Sequence, residues 1–217
     1  MTRAQRYEAV LGYFREHSPA VTTELEHSNA FELLCAVVLS AQCTDKRVNT
    51  VTPALFAKYP TPAKMAAAAE EDVLALVGSV SYPNSKARHL VQLAARLQEA
   101  YGGEVPQGMA DLTSLPGVGR KTANVMQAVW FGTAAMPVDT HVYRVSRRLG
   151  LVPATDDTPL KVERTLTRNI PREYLAKAHH WLLLHGRYVC TSRTARCTEC
   201  PFCTFCPKKT ENSKLAR

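Results

Sequence analysis

The chain has 217 residues, 46% hydrophobic and 21% charged, the ordinary balance of a globular protein and enough for one large domain or two small ones sharing a cleft. Its formal net charge of +8 suits a polyanionic partner, nucleic acid above all, without proving one. No apolar run approaches the roughly 18 residues of a membrane span, and Met1 to Arg6 open without an apolar signal core. A cytoplasmic monomer with no membrane partner is therefore expected.

Helical periodicity dominates the chain. Residues 7–17 place Val10, Leu11 and Phe14 on one face, and residues 30–39 form an apolar stretch long enough for a buried helix. Thr61-Pro62 reads as an N-cap followed by proline at the first helical position, opening an alanine-rich helix. Residues 85–101 carry Leu90, Leu93, Ala94 and Leu97 on one side and end at Gly102-Gly103. A short helix over residues 110–115 stops at Pro116, and an amphipathic one follows over residues 120–131. Thr158-Pro159 starts another helix, which Pro171 ends. Pro171 can also open the last, which stops at Gly186. With no strand alternation and no repeat, the reading is an all-α fold of many short helices. It is drawn as two helical lobes, residues 22–132 and residues 1–21 with 133–217.

The most informative stretch is Leu115-Pro116-Gly117-Val118-Gly119-Arg120-Lys121-Thr122-Ala123. Glycines flanking a valine between two helices indicate a tight hairpin. Glycine accepts positive φ, and it leaves backbone N–H groups uncovered at a helix N-terminus, where the dipole favours an anion. The hairpin can grip a phosphate without regard to base sequence. A plain helical corner with glycines for packing is the competing reading.

Together with Val138-Asp139-Thr140-His141-Val142, Leu39-Ser40-Ala41-Gln42-Cys43-Thr44-Asp45, and His185-Gly186-Arg187 before the terminal cysteines, this stretch resembles endonuclease III. That is the helix–hairpin–helix family of DNA glycosylases and AP lyases. The resemblance runs in order from about Arg6 to Cys206. It implies a base excision repair enzyme that removes oxidised pyrimidines from double-stranded DNA and cuts the abasic site. Lys121 would be the nucleophile, because a primary amine can form a Schiff base at the sugar C1′ and open the way to β-elimination. Desolvation, Arg120 and the helix dipole would favour its neutral form. Asp139 would stabilise oxocarbenium character at C1′, although its place before a helical run fits an N-cap equally.

A base inside a duplex must be flipped out before it can be cut. By the resemblance, Gln42 fills the gap, and a wedge comes from the loop before Asn84-Ser85-Lys86. The family has a Gly–apolar–aromatic step there, where this chain has Ser81-Tyr82-Pro83. Tyr82 either stacks on a base or is an ordinary loop residue. Gly117, Val118, Gly119, Arg120, Lys86, His141 and Arg187 complete the expected DNA contacts. Arg144, Arg147, Arg148, Arg193, Arg196, Lys208, Lys209, Lys214 and Arg217 would extend a phosphate-tracking face.

Five of the seven cysteines lie within residues 190–206, which in a chain without export signals points to metal or redox chemistry. Cys190, Cys197, Cys200 and Cys206 have the family's spacing for a [4Fe–4S] cluster. Cys203 offers an alternative fourth ligand, and a Cys₄ zinc site is the other metal reading. Cys35 and Cys43 read as small core residues, and His179-His180-Trp181 as helix packing. Two rivals remain: a glycosylase of this fold for another lesion, and a non-catalytic DNA-binding module with a structural metal.

Overall fold

The computed structural model describes residues 1–18 and 20–207. Lys208, Lys209, Glu211, Lys214 and Arg217 of the basic terminal stretch lie outside the described residues. Within them the chain is all-α, as expected, with eleven α-helices, one 3-10 turn and no strand. It divides into two compact units, Thr23–Gly132 and Met1–Thr22 with Thr133–Arg217.

The Thr23–Gly132 unit is built around α2 (Ala30–Leu39), which buries Phe31 and every residue from Leu33 to Leu39. A helix apolar on all sides needs neighbours on all sides, and α2 packs against α3 (Asp45–Lys58), α6 (Pro83–Tyr101) and α8 (Arg120–Val129). Sequence periodicity does not announce α3, where Pro53 lies inside the helix and only Val48, Val51, Thr52 and Leu55 are buried. The alanine-rich segment is not one helix. α4 (Pro62–Ala66) closes at Ala67, and Ala69 is the N-cap of α5 (Glu70–Val77). Glu70, Glu71 and Asp72 crowd the first turn of α5. There they favour a new N-terminus through the helix dipole, over the continuation that alanine propensity alone would allow. α6 buries Leu90, Leu93, Ala94 and Leu97, and Gly102 ends it with φ +59°. The short α7 (Met109–Thr113) leads into the hairpin before α8. Cys35 is in the core, but Cys43 is only half-buried against it.

The other unit begins with α1 (Arg3–His17), opened by a reciprocal capping box between Thr2 and Gln5. Phe14 stacks on Trp181 with centroids 5.7 Å apart, and Trp181 Nε1 donates to Ser18 O at 2.7 Å. α9 (Thr140–Arg148), α10 (Pro159–Asn169), a 3-10 turn (Arg172–Tyr174) and α11 (Leu175–Tyr188) follow. Two expectations need correction here. Pro171 opens the 3-10 turn rather than α11, and Gly186 does not end α11 but lies inside it. A Cβ at Gly186 would stand 2.9 Å from His141 Cβ and 3.0 Å from Val145 Cγ2. Its glycine is required by the approach of α9, not by a turn. His179 and His180 are buried, bonded to Pro137 O and Ala176 O.

Candidate functional site

The hairpin separates the roles of its two glycines. Gly117 has φ +76°, and a Cβ there would meet the His89 side chain at 3.0 to 3.1 Å, so both backbone and packing exclude other residues. Gly119 has extended backbone, φ −92° and ψ 175°, and a Cβ there would meet nothing within 4 Å. The expectation that both glycines answer to a tight turn therefore holds only for Gly117. Gly119 is the N-cap of α8, and no side chain caps that helix. Side chains cap α1, α2, α3, α4, α9 and α10 (Thr2, Asn29, Thr44, Thr61, Asp139 and Thr158), while α5, α6, α7 and α11 share the absence of such a cap with α8. The hairpin thus presents a bare helix start, with Arg120 and Lys121 exposed in its first turn. Val118 departs from its expected DNA contact. Its side chain is in the core and its N–H donates to Leu115 O at 3.1 Å, so it anchors the hairpin.

Lys121 is exposed, so the desolvation expected to favour a neutral amine does not come from the described residues around it. Asp139 is half-buried, and its Oδ1 accepts from Val142 N at 2.7 Å. The cap is real. A carboxylate has two oxygens, so capping through Oδ1 is compatible with electrostatic work through Oδ2. His141, on the first turn of α9, lies against Gly186 and 3.1 Å from Arg144 Nη2, while Arg187 is half-buried in the last turn of α11.

Gln42 and Tyr82 share a property that periodicity could not show. With φ of 54° and 55° they are the only non-glycine residues in left-handed backbone among the described residues. Each such residue costs about 1–2 kcal/mol, and both are exposed, Tyr82 at 64%. Ser81 Oγ donates to Gln42 O at 2.7 Å, and Lys86 N donates to Tyr82 O at 3.2 Å. Lys86 itself is a correction. It is buried, and its Nζ donates to Leu39 O and Ala41 O, each at 2.7 Å. An ammonium at the C-terminal end of α2 satisfies carbonyls that the helix leaves open. Burial lowers its pKa. It braces the Gln42 loop from inside instead of meeting phosphate.

The α9 arginines also depart from expectation. Arg144 donates to Gly186 O and Cys190 O at 2.8 and 3.2 Å. Arg148 donates to Thr191 O and Ser192 O at 2.6 and 3.1 Å and approaches Cys190 Sγ at 3.4 Å. Arg147 bonds Ala154 O and Asp156 O. Arg144 and Arg148 clip the end of α11 and the chain after it to α9, while Arg147 holds the loop between α9 and α10. Phe202, 1% exposed, plugs the same loop into the core beside Phe14 and His185.

A small pocket open to solvent is lined by Cys190, Cys197, Cys200, Cys203 and Cys206, with Leu149, Val189 and Ala195 among its apolar walls. His185 Nε2 lies 3.6 Å from Cys200 Sγ. Burial pushes the Cys200 thiol up to about 11, so metal binding there must release a proton. Soft sulfur donors around an apolar space suit iron–sulfur or zinc chemistry.

Residues 35–172 match the HhH-GPD superfamily of base excision DNA repair proteins. The chain belongs to that superfamily. Within it the chain is a member of the endonuclease III family: it is 45% identical over 199 residues to endonuclease III of Bacillus subtilis, covering 92% of this chain and 90% of that protein. Two solved structures match over 100% of both chains. One is a trapped endonuclease III–DNA covalent intermediate (TM-score 0.91, 44% identity), the other a non-covalent endonuclease III–DNA complex (TM-score 0.92, 42% identity). No helix among the described residues is long and apolar enough to cross a membrane.

Against the endonuclease III pattern, sequence reasoning missed Arg144 and Arg148 as braces and Ser81 as a tether. The arginines had only a partial signal, a four-residue spacing that puts them on one helix face without saying what that face meets. Ser81 had none, since its partner is a backbone carbonyl 39 residues away.

Proposed function

We propose that this chain is a bifunctional DNA glycosylase and AP lyase that, as a monomer, removes oxidised pyrimidines from double-stranded DNA. The uncapped start of α8, with Lys121 exposed in its first turn, carries the reading. Its bare N–H groups, with Gly117 and Gly119 beside them, take a phosphate, and Arg120 adds charge. Lys121 Nζ attacks C1′ as the damaged base departs with a proton; the C1′–O4′ bond then breaks, O4′ takes the proton given up by the amine, and a Schiff base remains at C1′. Loss of the C2′ proton then expels the 3′ phosphate. Asp139 stabilises positive charge at C1′ and is held ready by its own cap bond. Gln42 fills the vacated stack, and Tyr82, whose ring is already exposed, wedges beside it. His141 and Arg187 contact the backbone.

Cys190, Cys197, Cys200 and Cys206 hold a [4Fe–4S] cluster in this reading. The four thiols line one pocket and supply the donors that such a cluster needs. The cluster supplies iron–thiolate bonds that staple the loop. Arg148, Arg144 and His185 set the loop's course around it.

Borohydride trapping on duplexes carrying thymine glycol or an abasic site, comparing wild type with Lys121→Ala, tests this function. A covalent band on both, lost in the variant, is expected. A band on the abasic duplex alone keeps the lyase step and moves the base specificity to another lesion. No band on either overturns the Schiff-base role and leaves a binding module.

A further inference from the structure

We infer that Ser81 and Lys86 are positioning residues that join the Gln42 and Tyr82 loops into one insertion device, so that plug and wedge enter the base stack together. The inference rests on the reading that Gln42 and Tyr82 contact the stack. The two residues belong to separate loops, after α2 and before α6. Each is in the left-handed region that non-glycine residues avoid. Such a conformation persists only where neighbours over-determine it.

Here the neighbours are visible. Ser81 Oγ ties the wedge loop to Gln42 O at 2.7 Å. Lys86 Nζ holds Leu39 O and Ala41 O, one residue before Gln42, and Lys86 N holds Tyr82 O. The Lys86 side chain thus ties the Gln42 loop to the first turn of α6, whose N-cap is Tyr82, and its N–H makes the ordinary first-turn bond there. The tether depends on the serine hydroxyl, which a glycine at that step would lack. Pro83 at the first position of α6, with its fixed φ, stiffens the same junction. Preorganised loops lower the ordering cost of insertion, so the tether acts on flipping and leaves the chemistry of Lys121 alone.

The test uses the whole protein and a duplex with 2-aminopurine beside thymine glycol, whose fluorescence reports unstacking. Ser81→Ala is expected to slow the fluorescence rise and single-turnover excision by roughly threefold to tenfold. Trapping on an abasic duplex should change less, and Ser81→Thr should restore the rate. Gln42→Ala and Tyr82→Ala should couple in the Ser81 protein and become additive in Ser81→Ala. Lys86→Met serves only if its thermal unfolding stays cooperative; Ser81→Ala decides the matter without it. A silent Ser81→Ala beside damaging Gln42→Ala and Tyr82→Ala overturns the tether and leaves the insertion reading intact. If all three are silent, both fall.

Discussion

Arg148 Nη1 stands 3.4 Å from Cys190 Sγ while the same guanidinium holds Thr191 O and Ser192 O. One α9 side chain thus orients the first proposed ligand and the backbone after it. Replacing Arg148 with Met keeps the stem and removes the donors. Charge-assisted bonds of this kind are worth about 1.5–3 kcal/mol each. Iron content per chain should fall and the visible cluster absorbance should bleach faster in air. Unchanged iron loading and lifetime would show that the loop positions itself.

Asp139 offers a separation of cap from chemistry. Asparagine caps as well as aspartate, and loss of the cap costs about 0.5–2 kcal/mol. Asp139→Asn should therefore keep the melting temperature and lose excision by at least about 100-fold. Asp139→Ala should lose both. An active Asp139→Asn enzyme would reduce this residue to its cap.

Two glycines should respond in opposite ways. Gly186→Ala drives a methyl against His141 and Val145, and overpacking of this kind costs about 1–3 kcal/mol. Gly119→Ala meets nothing in the protein and should leave thermal stability nearly unchanged. It should weaken binding to an abasic duplex, since it adds a methyl at the N-cap of α8, where the proposed phosphate must approach. Calorimetry and salt-titrated binding read the two effects.

His180 gives a pH signature. Burial lowers its pKa in the folded state, and its Nδ1 donates to Ala176 O. The unfolded chain therefore binds the proton first as pH drops. The stability is fully present above the unfolded value of about 6.5 and is lost as pH falls toward the depressed folded value. The fall in melting temperature between about pH 7.5 and about pH 5.5 should shrink in His180→Gln. An equal fall in both proteins would assign the acid sensitivity to other groups.

Local chemistry alone determined a good deal about this protein. The helical class followed from spacing, the hairpin from Gly117-Val118-Gly119, the candidate metal loop from cysteine spacing, and the endonuclease III resemblance from ordered motifs. These signals are short-range: one turn, one cap or one loop is enough to write them. The fates of the basic residues were decided by tertiary structure. Lys86, Arg144 and Arg148 read as surface charge in one dimension because a cation's sequence neighbours do not reveal which carbonyls it will face. Only the folded chain brings Leu39 O and Ala41 O to Lys86, Gly186 O to Arg144, and Ser81 Oγ to Gln42 O. A buried ammonium must find acceptors or lose its charge. Those acceptors come from segments distant in sequence, so the pairing exists only once the helices have packed.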